Sequence, residues 1–145
     1  MKTTLYIFLF LFSFSCQSKE HIQLVYPDKI YKNIIWTKEE LKKNIAIHHL
    51  YRGKNTSTHL IRLKGNEFPH YHDRHDLNIS ILSGKSIIHF KDHRVSLSSG
   101  DVIFIPKGTF HWAENMDPVA SVVFAVFSPA FDGKDRRKAG IMEEK

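Results

Sequence analysis

The sequence predicts an all-β protein, an antiparallel sandwich or barrel with one short helix ahead of it, and three observations carry that expectation. Eight short apolar runs follow one another between residues 45 and 127. Turn signals separate them, and no helical period lies between them, which argues against a parallel sheet. The strands are IAIHHLY (45–51), STHLIRL (57–63), LNISIL (77–82), SIIHF (86–90), RVSL (94–97), DVIFIP (101–106), FHWAE (110–114) and VASVVFAVF (119–127).

Each boundary has a local reason. Thr37, with Glu40 three residues on, forms the capping box of a helix of about two turns, which Asn44 stops. Gly53, Lys54 and Asn55 mark the first hairpin turn, and Ser83 with Gly84 another. Residues 91–93, 98–100 and 115–118 mark three more. The run VVFAVF is apolar on both faces, so its outer side needs cover, either from the segment around Ile34, Ile35 and Trp36 or from a second copy in a homodimer. From Phe131 the pattern is lost, and residues 131–145 read as a polar, loose tail.

The first fifteen residues read as an export signal rather than part of the fold. Lys2 is followed by an apolar stretch over 5–14, shorter than the roughly 20 residues that span a bilayer. Cys16, the one cysteine, directly follows Ser15, and the segment resembles the lipobox of bacterial lipoproteins, which implies acylation of Cys16 and a membrane anchor. Ser13 and Phe14 depart from the usual Leu and small residue, and a conventional signal peptide is the alternative, giving a periplasmic or secreted protein. Both readings place the mature chain outside the cytoplasm at the bacterial cell envelope, with residues 16–44 as tether and helix and 45–130 as barrel.

The chain of 145 residues is one domain by length. Its net charge of +6 favours an anionic ligand or surface. The basic residues are scattered apart from Lys134, Arg136, Arg137 and Lys138, with no basic helix or aromatic RNA-binding strand, so nucleic acid is not an expected partner.

Function centres on histidine. On a strand, His70 and His72 point the same way with Cα atoms about 7 Å apart, so both rings can reach one ion at about 2.1 Å. Tyr71 points the other way. His111 arrives after Pro106, which ends a strand, and Gly108, which permits a tight turn. Three imidazoles suit Zn, Ni, Cu, Fe or Mn.

The stretch GNEFPHYHDRHDLNISILSG resembles the first motif of the cupin superfamily, and GDVIFIPKGTFHWAEN matches the second, with Gly100, Pro106, Gly108, His111 and Asn115 at its fixed positions. The resemblance covers residues 45–127 and implies a jelly-roll β-barrel with a divalent transition metal held by His70, His72 and His111. The acidic ligand is where the pattern departs: counting from His72 gives Asp76, counting back from Gly84 gives Leu77. Phased by its apolar residues, this strand turns His75, Leu77, Ile79 and Ile81 inward and Asp76 outward, so the fourth ligand is Asp76, His75 or water.

Phe104, Phe110, Trp112 and Phe124 are candidate walls of the pocket, while Glu67 stands near the first motif without an assigned role. Asn115 reads as fixing the turn before Asp117 and Pro118. His48, His49, His59, His89 and His93 lack ligand spacing and read as surface or rim residues. The expected function is a metal-binding lipoprotein whose barrel receives a small molecule; the alternative is a metal-dependent dioxygenase or isomerase, and no general acid or base is assigned.

Overall fold

The computed structural model describes residues 22–25, 27 and 31–139. The segment expected to be an export signal and Cys16 lie outside the described residues. The described residues form twelve strands and one helix: β1 Ile22–Val25, β2 Tyr31–Ile34, α1 Lys38–Lys42, β3 Ile45–Arg52, β4 Ser57–Leu63, β5 His70–Tyr71, β6 Asp76–Ser83, β7 Lys85–His89, β8 Arg94–Ser98, β9 Val102–Ile105, β10 Trp112–Asn115, β11 Ser121–Ser128 and β12 Arg137–Lys138. All pairings are antiparallel, in a five-stranded sheet β3-β4-β11-β6-β9 and a three-stranded sheet β10-β7-β8, with the small pairs β1-β2 and β12-β5. The architecture is the expected jelly-roll.

Period-two alternation sets which side chains enter the barrel. Leu77, Ile81, Ile88, Leu97, Ile105, Ala125 and Phe127 form the buried core cluster. His75, just before β6, and Leu77 and Ile81 within it are buried, while Asp76 caps a neighbouring loop, its Oδ1 accepting the Lys107 N–H at 2.9 Å. That is the phasing the apolar residues dictate.

The capping box is as expected: Thr37 Oγ1 accepts from Glu40 N at 3.2 Å, and Glu40 Oε2 accepts from Thr37 N at 2.8 Å. This helix sits beside β3. Register places Ala46 and His48 of β3 beside Arg62 and Leu60 of β4, and these beside Val122 and Phe124 of β11. Trp36 meets the His48 ring edge-on at 4.5 Å, Glu40 Oε1 lies 3.1 Å from His48 Nε2, and Ile34 is buried. Residues 34–40 therefore lie against the outer side of β3, two strands from β11 in the same sheet. The β1-β2 hairpin was not expected in the tether; its strands are four residues each, too short for periodicity to announce.

Residues 131–139 correct the expectation of a loose tail. They cross back over one end of the barrel, and β12 pairs with β5, matching Arg137 with Tyr71 and Lys138 with His70. Polar contacts fasten this strap: the Asp135 carboxylate accepts from Asp73 N (3.2 Å), Arg74 N (2.9 Å) and the His75 ring. Arg137 makes a two-pronged pair with Asp73 at 2.7 and 2.8 Å, and its guanidinium lies 4.1 Å over the Tyr71 ring. Residues 140–145 lie outside the described residues.

Candidate metal centre

His70 and His111 form an antiparallel bridge, exchanging backbone hydrogen bonds of 3.0 Å in both directions. Residues directly opposite in such a bridge project to the same side, so the two rings meet with centroids 4.5 Å apart. His72, two residues on, joins the same side, its ring 4.9 Å from His70 and 5.7 Å from His111. The turn that delivers His111 has Gly108 at φ +75°, where a side chain would be strained, and Gly108 N donates to His72 O at 2.7 Å. That bond ties the turn to the first motif.

The three rings are buried, with one nitrogen of each within 4.8 Å of the others. Each ring has its Nδ1 beside a backbone carbonyl: Phe68 O for His70 (2.8 Å), Asp135 O for His72 and Thr109 O for His111 (2.9 Å). A carbonyl can only accept, so Nδ1 carries the proton and Nε2 keeps its lone pair. This is how ligand histidines are oriented around a metal. Burial, reinforced by the Arg136 guanidinium and the neighbouring rings, holds His70 down to about 3. Burial likewise lowers His111 to about 4 and depresses His72, so the rings are neutral donors at physiological pH. The donor set fits a divalent transition metal.

A cavity of about 70 Å³ adjoins the triad. Its walls are mostly aliphatic, among them Leu77, Ile79, Ile81, Ile88 and Val123, with Phe127 beside the three imidazoles. The four aromatics expected as walls lie elsewhere. Phe104 is exposed on β9, Phe110 packs on Tyr71, Trp112 stacks on His89 at 3.7 Å, and Phe124 faces the outer side of β11. Tyr71 points away from the triad, as its parity requires.

Neither tentative fourth ligand joins the cluster. Asp76 is spent on the Lys107 N–H, and His75 sits between the Asp135 carboxylate and Ala130 O, its two ring nitrogens each facing an oxygen. Leu77 occupies the inward position. Asn115 fixes its turn, donating to Asp117 O (2.7 Å) and Lys64 O (3.1 Å) and accepting from Asp117 N (3.0 Å).

Two residues of the site were not assigned from sequence. Glu67 lines the cavity, its Oε2 accepting from Ala113 N at 3.1 Å and its Oε1 lying 3.4 Å from Arg136 Nη2. Burial raises its pKa against the opposing pull of Arg136 and the Ala113 N–H. Arg136 also stands 3.4 Å from His70 Nδ1, a close approach of two donors that keeps that ring neutral. No spacing announces Arg136, 66 residues from His70. The other described histidines have partners of their own. His49 and His59, expected at the surface or rim, face each other across β3-β4 with Nδ1 atoms 2.8 Å apart, and the buried His59 Nε2 lies 2.9 Å from Ser57 Oγ. His89 pairs with Glu114 (2.8 Å) and His93 with Asp92 (2.6 Å).

Comparison with known proteins decides the family. The sequence model of the Cupin domain family matches residues 60–127. A protein of Aquifex aeolicus (strain VF5) is 36% identical over 104 residues, which is 72% of this chain and 85% of that protein. The chain belongs to the cupin superfamily. Among solved cupin-like structures, KdgF from Halomonas sp. is 26% identical with a TM-score of 0.58, covering 62% of this chain and 83% of its own. An RmlC-like cupin from Shewanella frigidimarina, 23% identical, has a TM-score of 0.56 and covers 62% and 80% of the two chains. In this cupin the triad falls on the barrel's inner side, and the strap behind it is what the sequence motifs do not contain.

Proposed function

We propose that this chain is an exported metal-binding cupin, anchored through acylated Cys16, that holds a divalent transition metal on the Nε2 atoms of His70, His72 and His111 and receives a small molecule in the adjoining cavity. One observation carries the reading: all three Nδ1 atoms are committed to backbone carbonyls, leaving three lone pairs on one side. An all-nitrogen donor set favours Zn, Ni or Cu over harder ions. The bound ion would supply Lewis acidity towards a polar group of the ligand. The protein's own part is to keep the imidazoles neutral and oriented and to exclude bulk water with aliphatic walls. The test is metal content of the purified protein beside the triple variant His70→Ala, His72→Ala, His111→Ala. About one equivalent in the wild type and none in the variant is expected; equal content in both refutes the site.

Glu67 favours a second reading, an enzyme of the isomerase type. A buried carboxyl with raised pKa beside a Lewis-acid site can hold or deliver a proton to a ligand in the cavity. Glu67→Gln keeps the size and removes the proton exchange. If the chain is an enzyme of this kind, that variant retains metal and loses turnover.

A further inference from the structure

We infer that the metal centre of this cupin takes a small monocarboxylate, an organic anion with a short apolar tail, an assignment that rests on the metal-site reading above. The inference comes from counting charge. All three donors are neutral imidazoles, and among the described residues no carboxylate or thiolate joins them. The inward position of β6 carries Leu77, and the nearest acid in sequence, Asp76, is turned out to the Lys107 N–H. The one acidic residue in the cavity wall is Glu67, whose oxygens face the Ala113 N–H and the Arg136 guanidinium. A divalent ion on this triad therefore has no protein anion to offset it, in surroundings where an uncompensated charge is costly. An exogenous anion in the open coordination positions removes that cost.

The walls choose among anions. A carboxylate spends both oxygens at the ion and turns its tail to Ile79, Ile81, Ile88 and Val123. Phosphate would leave further oxygens against aliphatic carbon without donors, at a cost in unpaired polar groups. The wall's other polar element is the hydroxyl pair in which Ser86 Oγ donates to Ser121 Oγ at 2.8 Å, enough for one additional contact. A cavity of about 70 Å³ limits the tail to a few carbons.

The experiment uses the full chain loaded with Co(II), whose visible absorption reports a change of coordination, titrated near neutral pH with butyrate, butyramide and inorganic phosphate. Butyrate is expected to shift the spectrum and to bind at least about tenfold tighter than either alternative, with no binding to the metal-free protein. Leu77→Glu places a carboxylate on the inward position; it should retain cobalt and lose about tenfold or more in butyrate affinity. Leu77→Gln, of equal size without the charge, should keep the butyrate preference. Butyramide or phosphate binding within about threefold of butyrate overturns the inference, as does undiminished butyrate affinity in cobalt-loaded Leu77→Glu. Should Leu77→Glu not fold, the wild-type ligand series decides alone. A wild type that takes up no cobalt overturns the metal-site reading and this one with it, whereas cobalt bound without anion preference overturns this one only.

Discussion

Asp135→Ala removes the fastening of the strap, and its cost follows from the contacts. The buried carboxylate accepts from the backbone N–H of Asp73 and Arg74 and from the His75 ring, and it lies 3.5 Å from Arg74 Nε. Burial alone would raise its pKa, yet the His75 and Arg74 hydrogen bonds hold it below the ordinary aspartate value, which marks the ionised form as the bonded one. Hydrogen bonds to a charged acceptor are each worth about 1.5 kcal/mol net at the low end, and the exposed Arg74 pair adds little, so alanine should cost about 3–5 kcal/mol. Urea denaturation measures this, with Asp132→Ala as control: Asp132 meets the same Arg74 at 2.7 Å but at the surface, and its loss should cost much less. Asp135 also supplies the backbone carbonyl that orients His72. Lifting the strap should therefore weaken metal affinity by about 10–100-fold in competition with a chromophoric chelator. If Asp135→Ala costs no more than Asp132→Ala and binds metal as the wild type does, the strap is not part of the site and the reasoning fails.

Two further outcomes are expected. Burial, with help from His49 and Arg52, lowers His59 to about 4, so the unfolded chain takes up its proton below pH 6.5 while the folded one refuses it until about 4. The stability from this group is thus complete above pH 6.5 and declines as pH falls towards 4, by about 2 kcal/mol at pH 5. His59→Gln should flatten that part of the stability–pH curve, and an unchanged slope between pH 6.5 and 5 would contradict the assignment. Gly84 and Gly100 both have positive φ, +77° and +95°, so alanine at either incurs strain of about 1 kcal/mol. A Cβ at Gly84 would also come within 3.0 Å of backbone atoms of Ala120 and Ser121, whereas at Gly100 it meets nothing within 4 Å. Gly84→Ala should therefore be clearly the more destabilising in urea, and equal midpoints would show that the close approach relaxes freely.

How far the sequence could be read depended on the kind of force that shapes each part. Strands β3, β4 and β6 to β8 announce themselves because one face of each is buried and burial leaves a period of two, while β9 and β11 show as short apolar runs bounded by turn signals. The same period puts Leu77 inward and Asp76 outward. The Thr37–Glu40 box was legible because both partners lie within one turn. His49 and His59 were missed for want of register, although each lies a few residues from the turn at Gly53 and pairing around it sets them opposite. Of the four aromatics that were candidate walls, parity sends Phe104 and Phe124 outward.

The strap was illegible for a different reason, and that reason bears on how the centre works. Residues 131–139 are held by ion pairs, backbone acceptance and one two-residue strand, none of which leaves a hydrophobic period. Two of the three residues in the sequence Asp135-Arg136-Arg137 act on the triad: Asp135 O orients His72, and Arg136 bears on His70 and Glu67. The ligands thus come from the two motifs, while the orientation of one imidazole and the charge beside another come from a segment held by polar contacts of modest net worth. Such contacts weaken with salt and with loss of one partner far more readily than a packed core does. Metal affinity in this cupin should therefore fall before global stability does as ionic strength rises, a separation that a chelator competition and a urea midpoint, measured on the same samples, would resolve; parallel decline of the two would place the orientation of the triad in the barrel itself.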